Sequence, residues 1–175
     1  PLADGGRLLV VAGAAHKALV ETQLAELAVE GVVLLEPEPR DSAAAIAAAC
    51  AWIEAREPEA VAVIVSADHD IPDAEAFRAA VRETVGAARG GSIVTLGVKP
   101  TEPATSYGYI RPAESEGAVK PVAAFVEKPD AQRAEAYLQQ GFLWNSGNFV
   151  ATARTLMEEL AIHAPGVAEA ARAAV

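Results

Sequence analysis

The sequence predicts an α/β protein with a doubly wound, mostly parallel sheet and a smaller mixed β region. Up to Val98, apolar runs of strand length alternate with segments of helical periodicity in the order β-α-β-α-β-α-β. Residues Ala60–Val65 (AVAVIV) are all apolar, which is typical of a strand buried on both faces of a parallel sheet. From Thr101 to Lys128, Pro-bounded segments follow without an intervening helix, and these predict the mixed region.

The first part of the chain contains seven predicted elements. The helix after the first strand rests on the spacing of its leucines, and Ser42 and Asp73 are the expected N-caps of the next two helices. In chain order the elements are strand Arg7–Ala12, helix His16–Val29, strand Val32–Leu35, helix Ser42–Ala55, strand Ala60–Val65, a helix from Asp73 to about Ala88, and strand Ser92–Val98.

The second part is less regular. Asp130 is a suitable N-cap for a helix that ends at Gly141, a residue type that favours the position after a helix. The other predicted elements are the strands Tyr107–Arg111, Val122–Val126 and Phe149–Ala151 and the helix Leu156–Ile162.

Composition excludes several classes of function. The 175 residues are 52% hydrophobic and carry a formal net charge of −10, with a pI near 4.7. This acidic balance argues against binding to nucleic acid or to an anionic membrane surface. The apolar run Ala43–Ile53 is too short to span a bilayer, and we expect a cytoplasmic protein. The single cysteine, Cys50, lies in an Ala-rich helix and is expected to pack in the core.

Asp68 is the candidate metal ligand. It follows the most apolar strand, and open α/β sheets bind their ligands at the carboxyl ends of the strands. One carboxylate, with water and phosphate oxygens, suits Mg²⁺. The alternative is that Asp68 or Asp70 only caps the turn toward the next helix. His69 is expected to orient or pack, because Mg²⁺ prefers oxygen ligands.

Glu36 is the candidate for base recognition. It lies after the second strand, and its carboxylate can accept from two adjacent N–H donors such as N1 and N2 of guanine. Ser42, at the start of the following helix, suits an anion or a hydroxyl group. An ordinary charged loop with a helix cap explains the same residues.

Three further segments suit a sugar phosphate. Gly108, between two tyrosines, permits close approach of a ligand, or it marks a bulge. In the next segment, Lys128 can meet a phosphate and Glu127 can accept from hydroxyl groups, although a surface salt bridge is the simpler interpretation. Asn145 can donate to and accept from a vicinal diol, or it can form a turn.

In order, these segments resemble the bacterial mannose-1-phosphate guanylyltransferases. The matching motifs are Glu-Pro-x-x-Arg-Asp-Ser-Ala-x-Ala-Ile from Glu36, Ala-Asp-His-x-Ile from Ala67, Tyr-Gly-Tyr-Ile from Tyr107, Phe-Val-Glu-Lys-Pro from Phe125 and Trp-Asn-Ser-Gly-Asn-Phe from Trp144. The resemblance runs from about Leu8 to Phe149. It implies a Rossmann-like nucleotidyltransferase core that converts GTP and mannose 1-phosphate to GDP-mannose and pyrophosphate with Mg²⁺.

The resemblance also implies a role for each motif residue. On the nucleotide side, Glu36 would read guanine, and Arg40, Asp41 and Ser42 would line the nucleotide pocket. Asp68 would ligate Mg²⁺ and, with Lys128, serve catalysis. On the sugar side, Gly108 would approach the sugar through its backbone, Glu127 and Asn145 would bind mannose hydroxyls, and Lys128 would neutralise the sugar phosphate. The sugar-phosphate oxygen would attack the α-phosphorus of GTP in line.

The chain departs from the resemblance in several respects, of which a Ser66 in place of a usual Pro before Asp68 is the mildest. Asp41 stands where the relatives usually have Asn, and a carboxylate there would repel phosphate unless it faces away. The family's Gly-Gly-x-Gly-x-Arg loop and its later metal-binding Asp have no counterpart in these 175 residues. We therefore interpret residues 1–175 as a single, partial nucleotidyltransferase domain with a nucleotide and metal half (about 1–98) and a sugar-phosphate half (about 99–175), and expect little or no activity from this polypeptide alone.

Two other functions stay open from the sequence. One is a pyrophosphorylase for another hexose 1-phosphate. The other is a non-catalytic module of the same fold that binds sugar phosphate or forms oligomers, which Asp41 and the absent loop favour. The sequence does not determine the oligomeric state, so a homo-oligomer is compatible with it.

Overall fold

The structure is a computed structural model that describes residues 6–38 and 41–175. Its helices and strands alternate through most of the chain, so the predicted α/β class is confirmed. In chain order the elements are β1 (Leu8–Gly13), α1 (Lys17–Glu26), β2 (Gly31–Glu36), α2 (Ser42–Glu54), β3 (Val61–Ile64), α3 (Ala74–Arg89), β4 (Val94–Val98), β5 (Tyr109–Pro112), β6 (Val122–Val126), α4 (Ala131–Gln139), β7 (Leu143–Thr152), α5 (Ala153–His163) and α6 (Pro165–Ala173). A short 3₁₀ turn, Ala14–His16, precedes α1.

The chain forms two compact units. The first comprises residues 1–62 and 152–175, and the second comprises residues 63–151. These units are defined by packing, whereas the predicted division near residue 98 concerns ligands, so that division stays a prediction.

The first unit contains a parallel strand pair and a helical core. β1 and β2 pair in parallel from Leu8 opposite Gly31 to Gly13 opposite Glu36. α2 packs on both strands and against α5 and α6. The helices bury small residues at their contacts, which permits close approach, and Met157 of α5 is the largest fully buried side chain among them.

The sheet of the second unit has the order β3-β7-β5-β6, with β4 also paired to β7. The first residues of β3 and the last residue of β7 are assigned to the first unit. β7 is antiparallel to both β4 and β5, and β5 is antiparallel to β6. Beneath the β5–β6 pair lies a core of Tyr109, Ala134 and Phe142. The ring of Tyr137 stacks on Phe142 at 4.4 Å between centroids, and the Tyr109 hydroxyl donates to the Ala104 carbonyl at 2.9 Å.

The sheet organisation differs from the expected mostly parallel arrangement. β4 pairs antiparallel with β7. β7 is one ten-residue strand, and it includes the segment Trp144–Phe149. The sequence predicts a strand only at Phe149–Ala151, because the polar Asn-Ser-Gly-Asn stretch is typical of a turn. The helix boundaries agree more closely: the side chains of Asp73 and Asp130 cap α3 and α4 as predicted, and Gly141 has a φ of +74° after α4.

Two local predictions were wrong. Ser42 is the first residue of α2 and not its N-cap, because Asp41 has the extended backbone that precedes the helix (φ −62°, ψ 158°). The helix predicted over His16–Val29 is shorter, since α1 ends at Glu26 and Ala28 has a φ of +50°. Its leucine spacing indicated a buried face, but α1 has no buried residue.

Candidate functional site

Strand register brings three of the predicted sugar-binding residues together. Tyr109 pairs with Val126 on one side and with Trp144 on the other, so the preceding residue, Gly108, lies between Glu127 and Asn145. The Asn145 backbone N–H donates to the Gly108 carbonyl at 2.8 Å, which extends the ladder to this point. Gly108, Glu127 and Asn145 therefore form a row across β7 and the adjoining ends of β5 and β6, which we call the Gly108 row.

The absence of a side chain at Gly108 opens the middle of this row. A Cβ atom there would lie 2.8 Å from Glu127 Oε2, 3.3 Å from Phe125 Cζ and 3.5 Å from Asn145 Cβ. Residues opposite one another in a sheet project to the same face, and the two outer residues lie two strand spacings, about 10 Å, apart. The neighbouring side chains come too close to this gap for a methyl group to fit unless the Glu127 carboxylate moves, and a ligand above the gap would meet that carboxylate on one side and the Asn145 amide on the other.

Lys128 extends the row with a positive charge. Its Nζ lies 3.6 Å from Glu127 Oε1, and both side chains are exposed, so the pair itself stabilises the fold little. The Lys128 backbone has a φ of +44°, a left-handed conformation that is unusual for a residue with a side chain. Strain of this kind often occurs at binding sites, because the rest of the fold must hold it in place.

Asn145 is held by a bulge in β7. Thr95 pairs with Phe149 and Gly97 pairs with Asn145, so the register shifts between these two pairs and β7 takes up the extra residues. Gly147, within the extra residues, has a φ of +73° and donates its N–H to Asn145 Oδ1 at 3.2 Å. Bulges commonly reorient side chains next to functional sites.

Two buried polar atoms in β7 lack a partner within the part of the chain that the structure describes. They are Trp144 Nε1 and Asn148 Oδ1, and Asn148 is only 4% exposed. Buried polar groups are nearly always hydrogen-bonded, so these two atoms are exceptional in the interior of a protein. Both atoms belong to the strand segment that frames Asn145.

Asp68 lies in an exposed turn after β3, as the sequence predicted. Among residues 6–38 and 41–175, no group of three or more His, Cys, Asp or Glu side chains is placed to hold a metal ion. A single exposed carboxylate nonetheless fits Mg²⁺, which retains several waters and takes one or two carboxylates together with substrate phosphates.

The predicted nucleotide residues belong to the first unit. Glu36 is the last residue of β2 and is half-buried, at the carboxyl end of the parallel strand pair. Asp41 and Ser42 are exposed at the start of α2, and the Asp41 side chain makes no capping bond. Arg40 lies outside the described residues.

The sequence assigned no individual role to three residues of this site, although Phe125 and Asn148 lie within its motifs. Phe125 is 51% exposed and points its ring edge at the gap, Thr95 bonds to Asn145, and Asn148 carries the unpaired oxygen. The Gly within Trp-Asn-Ser-Gly-Asn-Phe is a signal for a bulge that the sequence does contain. The Thr95 contact spans fifty residues and has no local signal.

Comparison with known proteins identifies the family. Residues 3–175 match the model of the nucleotidyl transferase family. This chain belongs to the nucleotidyl transferase family. The predicted Rossmann-like nucleotidyltransferase fold is thereby confirmed, together with the α/β class.

The nucleotidyl transferase chain is similar to several curated proteins. It is 40% identical over 168 residues to xanthan biosynthesis protein XanB of Xanthomonas campestris pv. campestris (strain B100), covering 95% of this chain and 36% of that protein. It is 40% identical to the mannose-1-phosphate guanylyltransferase of Sinorhizobium fredii (97% and 34% covered) and 38% identical to that of Escherichia coli K12 (95% and 37%). The chain thus spans about a third of the length of these relatives.

Solved structures of similar fold agree with this assignment. The crystal structure of mannose-1-phosphate geranyltransferase from Thermus thermophilus matches with a TM-score of 0.84 and 34% identity, covering 94% of this chain and 48% of that one. The crystal structure of mannose-6-phosphate isomerase from Helicobacter pylori matches with a TM-score of 0.82 and 30% identity, covering 94% and 63%.

None of the helices in the described residues of this nucleotidyl transferase chain is long and apolar enough to cross a bilayer.

Proposed function

We propose that this chain contributes the sugar-phosphate site and a metal ligand to a mannose-1-phosphate guanylyltransferase. The Gly108 row carries the proposal, since it places a carboxylate and an amide on either side of a gap, with a lysine next to the carboxylate. The similarity to mannose-1-phosphate guanylyltransferases supports the choice of sugar phosphate. The reaction is GTP plus mannose 1-phosphate to GDP-mannose plus pyrophosphate.

Each residue of the row has a chemical task in this proposal. The Glu127 carboxylate accepts from sugar hydroxyls, and Lys128 meets the phosphate as a point charge. Gly108 lets the sugar approach the backbone, and Asn145 hydrogen-bonds to a hydroxyl on the opposite side. Holding the sugar phosphate in one orientation prepares its oxygen for in-line attack.

On the nucleotide side, Glu36 accepts from the guanine edge, and Arg40, Asp41 and Ser42 line the pocket, as the resemblance implies. Asp68 is the residue that would hold Mg²⁺, and the ion supplies charge stabilisation at the phosphates when bound. The proposed setting is a cytoplasmic enzyme that takes GTP and mannose 1-phosphate and has no nucleic-acid or membrane partner.

Calorimetry with mannose 1-phosphate tests this proposal. We expect the chain to bind the sugar phosphate, and expect Lys128→Ala to weaken binding about tenfold or more, because a charge-assisted hydrogen bond contributes about 1.5–3 kcal/mol. Lys120→Ala is the matched control, since Lys120 is an exposed lysine of the same unit that lies outside the row, and it should bind as the wild type does. Equal losses in both variants, or no binding by the wild type, would contradict the proposal.

A second candidate, a non-catalytic module that binds sugar phosphate, is favoured by Asp41. Its carboxylate is exposed at the N-terminus of α2, where a nucleotide phosphate would otherwise be attracted. The same calorimeter separates the two functions. Binding of GTP with Mg²⁺ supports the transferase, whereas sugar-phosphate binding without GTP binding supports the module.

A further inference from the structure

Thr95 is hydrogen-bonded to the side chain of Asn145. Its Oγ1 lies 2.6 Å from Asn145 Oδ1 and donates to it, and the Asn148 carbonyl oxygen lies 3.2 Å from the same Oγ1. Thr95 is half-buried on β4, directly across from the bulge of β7. One hydroxyl group therefore connects the side chain of Asn145 to the far end of the bulge.

The orientation of the Asn145 amide follows from a second contact. The Gly147 backbone N–H also points at Asn145 Oδ1, at 3.2 Å. A backbone N–H can only donate, so the atom that it faces must be the amide oxygen and not the nitrogen. Turning the amide over would place Nδ2 against this N–H and leave two donors facing each other.

The Thr95 hydroxyl and the Gly147 N–H together occupy the hydrogen-bond acceptor sites of the Asn145 side chain. An amide oxygen has two lone pairs, and Thr95 and Gly147 occupy both. Its Nδ2 has no protein acceptor among the residues that the structure describes. The side chain thus retains donors but no acceptor for a ligand.

We infer that Thr95 is a positioning residue that makes Asn145 a donor-only contact for a sugar hydroxyl. The inference rests on the proposed function and refines it. The sequence left Asn145 free to donate and to accept, whereas the structure divides these tasks: Asn145 donates, and Glu127, across the Gly108 gap, accepts. The hydroxyl that meets Asn145 must then accept a hydrogen bond, while the hydroxyl that meets Glu127 must donate one.

The first experiment needs no ligand. We expect the Gly147 amide proton to be protected from exchange with solvent in the wild-type chain. Thr95→Val keeps the branched shape but removes the hydroxyl, and it should speed exchange at Gly147 about fivefold or more, while Thr95→Ser restores protection. The Gly91 amide, bonded to Ala88 at the end of α3, is the internal reference and should be unchanged. Unprotected Gly147 in the wild type, or no effect of Thr95→Val, overturns the inference.

The second experiment reads the donor role directly. Mannose 1-phosphate analogues in which each ring hydroxyl is replaced in turn by hydrogen or by fluorine are titrated into the wild type and both variants. Fluorine can accept weakly but cannot donate. At one ring position the fluoro analogue should bind several-fold more tightly than the deoxy analogue. Thr95→Val frees one lone pair of Asn145 Oδ1 and loosens its side chain, so it should reduce this difference, and Thr95→Ser should retain it.

The outcomes separate the inference from the function on which it rests. If the wild type does not bind mannose 1-phosphate, the proposed function and the donor role both fail. If it binds but fluoro and deoxy analogues lose affinity equally at every position, the donor role fails and the proposed function stands. If Thr95→Val weakens binding without changing the fluoro-to-deoxy ratio, Thr95 is only structural and the inference is overturned.

Discussion

The backbone of Gly108 lies against the carboxylate of Glu127, and a Cβ atom at Gly108 would come within 2.8 Å of Glu127 Oε2. Because the atom displaced is the end of a flexible side chain, the fold can adjust by moving the carboxylate. The position of that carboxylate is what the proposed sugar site requires. Stability and binding should therefore respond differently to a methyl group at this position.

We expect Gly108→Ala to change the free energy of unfolding by less than about 1 kcal/mol and to weaken mannose 1-phosphate binding about tenfold or more. Denaturant unfolding and calorimetry on the same preparation measure both quantities. Gly86→Ala is the control, because Gly86 lies in α3 with nothing within 4 Å of its Cβ position. This control should gain about 0.5–1 kcal/mol and bind normally. Unchanged binding by Gly108→Ala would contradict the role of the gap.

Lys128 should show a trade between stability and binding. Its φ of +44° is left-handed, and glycine adopts that conformation without a steric penalty. We expect Lys128→Gly to raise the free energy of unfolding by about 0.5–1 kcal/mol while weakening sugar-phosphate binding about tenfold.

Ala28→Gly is the matched control for Lys128→Gly. Ala28 has a φ of +50° in the first unit, outside the Gly108 row, so it should show the gain in stability without the loss of binding. Thermal unfolding measures the change in stability of both variants, and calorimetry measures their binding of mannose 1-phosphate. A destabilised Lys128→Gly would mean that the lysine side chain is needed by the fold.

Cys50 should make the fold sensitive to high pH. Burial raises the pKa of its thiol to about 12 from 9.0, and the nearby Glu54 carboxylate adds to the shift. Because the folded pKa exceeds the unfolded one, this contribution is fully present below pH 9. It is lost between pH 9 and 12, by up to about 1.4 kcal/mol per pH unit.

The measurement is the difference in unfolding free energy between the wild type and Cys50→Ala from about pH 7 to about pH 11, since other titrating groups cancel in the difference. We expect the wild type to lose stability relative to the variant above pH 9, and the folded thiol to resist alkylation at about pH 8. Rapid alkylation under those conditions, or a constant difference between the two proteins, would show that the thiol is accessible.

Asp41 should oppose nucleotide binding. Its exposed carboxylate lies at the start of α2, where the helix dipole attracts anions. Asp41→Asn should lower the free energy of unfolding by no more than about 1 kcal/mol, through loss of the favourable dipole interaction. It should strengthen binding of GTP with Mg²⁺ several-fold in a calorimetric titration, whereas mannose 1-phosphate binding should not change. Unchanged GTP binding would show that the carboxylate faces away from the nucleotide, and weaker GTP binding would show that it assists binding; either result would contradict the expected repulsion.

Much of the fold could be predicted because its signals are local. The apolar Ala60–Val65 run and the capping residues Asp73 and Asp130 mark element types and ends through neighbouring residues alone. The direction of pairing between β4 and β7 could not be predicted in this way. It depends on contacts between residues about fifty positions apart, which leave no pattern in either segment.

In the candidate site, too, some features could be predicted from the sequence and others depend on contacts between distant residues. Gly108, Glu127 and Asn145 were proposed from their chemistry and from a resemblance, and the structure places them side by side. Their roles stay predictions. Thr95 and the hydrogen-bonding state of Asn145 could not be inferred, because they depend on how one threonine hydroxyl meets the bulge of another strand.

The bulge in β7 also constrains how this surface can change during evolution. Asn145, Gly147 and Thr95 are hydrogen-bonded to one another where the register of β4 and β7 shifts, so a substitution of Asn145 should also disturb strand pairing. The side chains of Glu127 and Phe125 are exposed beside the gap, so substitutions there should not disturb the pairing of β4 with β7. New substrate preferences should therefore arise first on β6 and its following loop, while β7 stays the same.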